Sequence, residues 1–529
     1  MGSYLNPRSW QFRESLNSAI YVDKSGLLIE TNNILGTRQK AICLSRPRRF
    51  GKSMAAEMLA AYYGRGEDTK ALFDGLKISQ APSYREQLNR YDVIKINMQS
   101  FLTKYRNMDD LLASLQERVI AELRLSYPCI IENESHLDWA MEAAFASSNI
   151  SFVIIIDEWD CIFREHKNDT ASQNKYLDFL RTWLKDQAYV GLAYMTGILP
   201  IKKYGTHSAL NMFDEYSMVS PGEFAAFFGF TQSEVKALCA QYNMSFDDAQ
   251  AWYDGYTMIQ PTATGTEALS MYNPNSVVRA MLRRQFGTYW NNTETYEALK
   301  VYICMNLHGL KDAVVQMLAG ARVRINTGTF RNDMTSLDNR NDVLTLLVHL
   351  GYLTYDFDTQ EVSIPNSEVS QEFVNAISTT DWSAVIGAVE ASRKLLQSLW
   401  NLDEAAVAAG IDRAHESVSI LQYNDENALS YAIGLAFYAA METYTIIREL
   451  PSGKGYADVV YIPRQRYADK PAVVIELKYD KSAEGAIAQI KAKNYPAALA
   501  AYHGNLLLCG INYDKESKKH QCKIERMEL

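Results

Sequence analysis

The chain has 529 residues, too many for one ordinary domain and enough for about three or four. Its 47% hydrophobic and 22% charged residues suit a globular protein with filled cores. A net charge of −9 excludes a generally basic nucleic-acid coat but leaves room for a local basic groove. Seven scattered cysteines with no C-x-x-C pair exclude a disulfide frame and a zinc ribbon. Neither a secretory h-region nor an apolar run of about 18 residues is present, so a cytoplasmic protein without a membrane partner is expected.

The apolar run 41–44 predicts a strand, and 54–60 predicts a helix. Between them lies Ser45-Arg46-Pro47-Arg48-Arg49-Phe50-Gly51-Lys52-Ser53. A strand, a tight loop ending Gly-Lys-Ser and a helix form the layout of a nucleotide phosphate site. Arg49, Phe50 and Gly51 would offer backbone N–H groups, Lys52 would reach β/γ oxygens, and the Ser53 hydroxyl would hold Mg²⁺. Arg46 stands where G-x-x-x-x-G-K-[ST] has its first glycine. Arg46, Arg48 and Arg49 either face phosphate or hold the loop against acidic neighbours; the sequence leaves both readings open.

Residues 93–98 predict a buried strand, and 109–125 a helix with apolar positions 111, 112, 115, 119 and 120. The run 151–158 is apolar and closes on Asp157-Glu158, as a central parallel strand ending at a ligand edge would. Strands at 190–195, ending in Thr196-Gly197, and at 215–220 complete a three-layer α/β domain over 1–222. A mostly helical lid region is expected over 223–330. It opens with a Thr231/Glu234 capping box and is broken by Trp252–Tyr256 and Asn273–Ser276. Over 331–415 a helix and hairpin suggest a winged-helix-like module, followed by an alanine-rich helical linker.

The last region, 416–529, carries a second carboxylate pattern. Strands at 455–462 and 472–478, paired antiparallel, would bring Asp458 beside Glu476, and pleating points Glu476 and Lys478 to one face. An E-x-K pair is ordinarily a solvated face with a weak ion pair. Ile475 and Leu477 flank this one, which places it on a buried strand where such a pair is costly without a metal or a partner. Two carboxylates and an ammonium suit a Mg²⁺- or Mn²⁺-assisted attack on a phosphodiester. Glu426 would complete the metal site, and Gln489 on the helix that follows would touch substrate; as isolated residues each also reads as plain helix surface.

Taken together, the 21–25 stretch Tyr-Val-Asp-Lys-Ser, the Arg46–Ser53 loop, Asp157-Glu158, Thr196-Gly197, Trp252–Tyr256 and Asn273–Ser276 carry half of a wider resemblance. Gly455, Asp458, Glu476-Leu477-Lys478, Gln489 and Tyr495 carry the other half. Over nearly its whole length the chain resembles a bacterial family that joins an AAA-ATPase-like domain to a PD-(D/E)XK nuclease-superfamily domain. The resemblance implies an α/β fold class: a P-loop NTPase with a three-layer parallel sheet, a helical lid and winged-helix-like middle region, and a C-terminal α/β restriction-endonuclease-like domain. It also implies that Asp157 binds Mg²⁺ through water, that Glu158 activates the hydrolytic water and that Thr196 senses the γ-phosphate. Pro200 lies where an arginine would follow Thr196, so no arginine finger is assigned. Gln489 and Tyr495 are six apart rather than the usual four, as substrate contacts. The expected function is an ATPase with a Mg²⁺-dependent nuclease acting on nucleic acid, DNA ahead of RNA, with homo-oligomerisation open. The alternative is a nucleotide-switched binder of nucleic acid or protein that does not cut.

Overall fold

The computed structural model describes residues 2–527 apart from 129, 132–133, 202–209, 291–294, 306, 319–320, 333, 379–382, 417–428, 430–432, 435, 453–454, 465–466, 494–498 and 500–504. The chain divides into two compact units that interleave along the sequence. Residues 1–244, 254–284 and 325–360 form the first, and 245–253, 285–324 and 361–529 the second.

The first unit is organised by a five-stranded sheet of β1 (Ala41–Ser45), β2 (Asp92–Asn97), β3 (Phe152–Asp157), β4 (Val190–Gly197) and β5 (Asp214–Tyr216). Its order is β2-β3-β4-β1-β5, with every pairing parallel. All six residues of β3 and all eight of β4 are buried, which is why both read as unbroken apolar runs rather than alternating ones. Alternate residues serve opposite faces. Ile94, Ile96, Ile154, Ile156, Ala193 and Met195 join one core with the helices Met108–Ser126, Leu137–Ser148 and Thr170–Leu184. The helix Lys52–Tyr63 packs on β2 and β3, and its end at Gly64 lies against Val93, the residue pleated the other way.

Beyond the sheet, the capping box at Thr231 forms as expected: its side chain accepts from Glu234 N–H while the Glu234 carboxylate accepts from Thr231 N–H. The same region contains strands that sequence periodicity did not reveal. β6 (Phe230–Thr231), β7 (Tyr256–Thr262) and β8 (Gly265–Tyr272) form an antiparallel sheet in the order β6-β8-β7. β7 and β8 close around a two-residue turn into Gly265, whose φ of +149° favours glycine. Asn273-Pro274 then starts the helix Pro274–Arg283, with the Asn273 side chain accepting from Ser276 N–H at 3.2 Å and proline in the first turn. Three short strands follow in chain order, β9 (Val323–Arg324), β10 (Thr354–Asp356) and β11 (Glu361–Ser363); β9 and β11 pair antiparallel. The helix Arg340–Leu350 precedes β10 and ends on Gly351 at φ 85°.

The second unit holds a mixed five-stranded sheet of β12 (Tyr444–Ser452), β13 (Gly455–Pro463), β14 (Ala472–Tyr479), β15 (Leu506–Asp514) and β16 (Lys519–Met527). Pairing is antiparallel except for β14 with β15, which the helix Ala483–Ala492 connects. Val473, Ile475 and Leu477 face a core with the helices Ser383–Trp400 and Glu404–Glu416. Ala472 and Val474 face Ile487 and Ile490 of the connecting helix. Glu476 and Lys478 continue that second face, beneath the same helix. Among the described residues no helix is long and apolar enough to cross a membrane.

Candidate nucleotide and metal centres

At the first centre the Gly-Lys-Ser loop closes on Gly51 at φ 92°, a left-handed conformation that glycine takes without Cβ strain, and the helix Lys52–Tyr63 starts from it. Lys52 is buried, and its Nζ donates to the carbonyls of Arg46 and Pro47, both at 2.9 Å. Burial lowers its pKa, while Glu158, Asp157 and Asp160 hold it up. Ser53 Oγ donates to Asp157 Oδ2 at 2.7 Å, and Thr196 Oγ1 donates to Asp157 Oδ1. Strands β1, β3 and β4 are neighbours, so residues more than a hundred positions apart meet at one sheet edge. Asn97, at the end of β2, reaches the same carboxylate with its Nδ2 at 3.5 Å.

Arg46 takes neither of the roles left open for it. Its side chain is fully buried and donates Nη1–H to the carbonyls of Ser45 and Tyr216, both at 2.9 Å, with the guanidinium carbon 5.4 Å from the Phe228 ring centroid. It ties β1 to the end of β5, and burial brings its pKa down to about 10. Arg48 is exposed and Arg49 half-buried with a left-handed φ of 69°. Phe50 is buried; its carbonyl accepts from Gly229 N–H at 3.1 Å, and its ring meets Tyr256 edge-on at 5.3 Å. The loop is thereby fastened to β7, and Tyr256 Oη in turn donates to Gly351 O at 2.7 Å.

Two further residues belong to this centre and were missed in the sequence. Arg164 Nη2 pairs with Glu158 Oε2, and its Nε with Asp160 Oδ2 at 3.1 Å. Asp160 Oδ2 also accepts from the N–H groups of Ile198 and Leu199 at 3.0 and 2.9 Å. The i,i+4 spacing of Asp160 and Arg164 just after Asp157-Glu158 was the available signal. Glu158 sits at φ 55°; its carboxyl pKa is raised, first by burial and then by Asp160 and Asp157, against the lowering pull of Lys52 and Arg164.

At the second centre β13 and β14 pair through Val459–Ile475, and one step further Asp458 comes opposite Glu476. Asp458 Oδ2 accepts from Leu477 N–H at 2.7 Å. Lys478 Nζ donates to Glu476 Oε1 at 3.1 Å and to Leu477 O at 3.0 Å. Gln489 Nε2, on the overlying helix, also donates to Glu476 Oε1. Glu476 is 1% exposed and its Oε2 is buried with no hydrogen-bond partner among the described residues. Burial first, then Asp458, raises its pKa in spite of Lys478. A buried carboxylate oxygen without a donor, beside a second carboxylate, fits a divalent cation. Glu426 and Tyr495 lie outside the described residues. Among the described residues no group of three or more His, Cys, Asp or Glu side chains gathers as a metal cluster, so within them the carboxylates offered to an ion are Asp458 and Glu476.

Comparison with known proteins agrees with both halves. Residues 11–206 match a family model described as predicted AAA-ATPase, and residues 426–523 match the PD-(D/E)XK nuclease superfamily. The parallel five-stranded sheet is that of a P-loop NTPase, the C-terminal mixed sheet is that of a PD-(D/E)XK domain, and the chain is α/β overall. An uncharacterized protein in the vnfD 5′ region of Azotobacter chroococcum mcd 1 is 29% identical over 283 residues. That match spans 52% of this chain and about half, 51%, of the relative's length. The ORC2 protein of Aeropyrum pernix, solved as ADPNP and ADP complexes, aligns over 68% of this chain and 96% of its own, at 10% identity and a TM-score of 0.31.

Proposed function

We propose that the protein joins an ATP-hydrolysing domain to a divalent-metal-dependent nuclease domain that cuts nucleic-acid phosphodiesters, DNA ahead of RNA. The ATPase would occupy 1–222 with a lid over 223–330, the winged-helix-like module and linker 331–415, and the nuclease 416–529. The observation that carries the reading is one chain with two carboxylate pairs, each with one buried member, Asp157 or Glu476, and a lysine beside it.

In the first centre Lys52 would exchange its two loop carbonyls for β/γ oxygens of ATP, and the backbone of Arg49, Phe50 and Gly51 would cradle the phosphates. Ser53 and Asp157 would hold Mg²⁺, Glu158 would take the proton of the attacking water, and Thr196 would address the γ-phosphate. In the second, Asp458 and Glu476 would hold Mg²⁺ or Mn²⁺, with Glu426 as a further ligand. That ion, when bound, acidifies its water and polarises the scissile phosphate. Lys478 would orient the attacking water and offset developing charge; Gln489 positions Glu476 and, with Tyr495, would contact substrate.

Lys52→Ala is expected to lower ATP turnover by about two orders of magnitude or more. Asp458→Ala should abolish cutting while ATP turnover persists. Protein that cuts neither DNA nor RNA with Mg²⁺ or Mn²⁺, with and without ATP, defeats the nuclease half. A second reading, a nucleotide-switched binder, draws support from the Lys478–Glu476 ion pair, which engages Glu476 Oε1 without a metal. It predicts nucleic-acid or protein binding that Asp458→Ala leaves intact.

A further inference from the structure

We infer that the second unit holds a binding cleft for a nucleoside phosphate, separate from both carboxylate centres and independent of the nuclease reading. A cleft of about 380 Å³ is lined by the aromatic rings of Trp252, Phe286 and Tyr438, the guanidinium groups of Arg393 and Arg464, and the Asp248 carboxylate. All of its lining residues fall within that unit. Its volume sits at the small end of the roughly 300–1,000 Å³ typical of small-ligand sites, suiting one nucleotide rather than a dinucleotide.

The lining chemistry is that of a nucleotide site. Aromatic rings offer faces on which any base stacks, and guanidinium groups match the forked geometry of phosphate oxygens. Part of the cleft is already built. Arg464 is held by donating Nε–H to Tyr444 O at 3.3 Å and Nη2–H to Ser367 Oγ at 3.2 Å. Ser370 Oγ and Tyr438 Oη lie 3.1 Å apart. Such anchoring reduces the ordering entropy lost on binding. Asp248 supplies an acceptor for ribose hydroxyls or a base amine. The cleft also gives a role to the Trp252-Tyr253 motif. Tyr253 turns inward, where its Oη donates to Gly287 O at 2.9 Å and accepts from Gly287 N–H at 3.1 Å, while its neighbour Trp252 lines the cleft.

Arg464 lies six residues beyond Asp458, about 20 Å along an extended chain at ~3.3 Å per residue, so the two sites address different phosphates. The ligand is therefore either a free nucleotide or the phosphorylated end of a strand. Both sources share one chemistry, a base carrying a terminal phosphate.

The test is calorimetric titration of the full chain carrying Lys52→Ala, in phosphate-free, metal-free buffer, with AMP, a 5′-phosphorylated tetradeoxynucleotide and the same oligonucleotide with a 5′-hydroxyl. Binding of AMP supports a free nucleotide. Binding of the phosphorylated oligonucleotide, but not of the 5′-hydroxyl form, supports a strand end. In either case Arg393→Ala and Trp252→Leu should each weaken binding by about tenfold or more, with unchanged circular dichroism and melting. Arg393 is exposed, so its replacement leaves the core alone. No binding of any of the three at millimolar concentration, binding indifferent to the phosphate, or binding that survives both substitutions overturns the inference.

Discussion

In the proposed ATPase, Arg164 would set how readily Glu158 acts as a base. The Glu158 carboxyl is pushed up by burial, and Arg164 is one of two cations that pull it back. A base must be ionised to accept a proton, so the acid limb of the proposed ATP turnover would follow this pKa. Arg164→Ala removes a lowering charge and should move that limb to higher pH, whereas Arg164→Lys should largely restore it. A kcat-against-pH profile that stays put in Arg164→Ala assigns Arg164 to packing alone. Asp160 keeps two backbone N–H donors in either variant, which limits the damage to the fold. At this scale the sequence was informative where chemistry restricts residue choice. The structure brings Ser53 and Asp157 together with Lys52 and Glu158, and Asp458 together with Glu476 and Lys478. Arg46 was opaque, because a letter in a loop does not say whether its side chain faces out to phosphate or back into the sheet. Its acceptors are carbonyls, one of them 170 residues away at Tyr216.

The helix Ala483–Ala492 lies close on β15, and Gly510 is what permits it. A Cβ at Gly510 would fall 2.3 Å from Ala483 O and 3.0 Å from Ala486 Cβ. Backbone cannot yield as a side-chain tip does, so Gly510→Ala should lift this helix and draw Gln489 away from Glu476. The expected cost is about 1–3 kcal/mol of stability. Nuclease activity should fall although no carboxylate has changed; unchanged melting and unchanged cutting would refute the close fit. A second helix, Glu404–Glu416, clasps β16 from both ends. Glu404 accepts from Ile524 N–H at 3.0 Å and pairs with Lys523 at 3.1 Å, and Asp412 Oδ1 meets both His520 N–H and Nδ1 at 2.9 and 2.7 Å. Burial holds His520 below its ordinary 6.5, although Asp412 pulls the other way and His415 adds a further lowering charge. The unfolded chain therefore binds a proton that the folded one refuses. Stability is full above pH 6.5 and is lost as pH falls through that value toward the lower folded pKa. The melting temperature should drop over this range in the native protein and drop less in His520→Gln; parallel curves would exclude His520 as the source. Elements such as β3 and β14 were legible because full burial leaves an apolar run. The β7–β8 hairpin was not, because its exposed stretch from Pro261 to Ala268 carries little apolar alternation.

At the scale of the whole molecule, charge is unevenly distributed. Residues 416–529 carry 14 Lys and Arg against 14 Asp and Glu, so the net charge of −9 belongs wholly to the remaining chain. The region resembling a nuclease is thus neutral rather than basic; residues 1–222 are neutral too, with 26 Lys and Arg against 26 Asp and Glu, so the acidic excess lies in 223–415. The compact units also interleave, with 245–253 in the second unit and 254–284 in the first, a property that local periodicity does not encode. On the proposed nuclease reading, nucleic acid would therefore be held by a few local cations, of which Lys478 is one beside the candidate centre. Each phosphate neutralised contributes about −0.9 to the slope of log K against log salt for duplex DNA. Two to four such contacts give a slope of about −2 to −4, with binding that weakens quickly above physiological salt. The measurement is equilibrium binding of a short duplex to Asp458→Ala protein, which holds substrate without consuming it, across a salt series. A slope near zero would argue against backbone contact and favour a protein partner. A slope of about −6 or steeper would require an extended basic surface that this charge distribution does not supply.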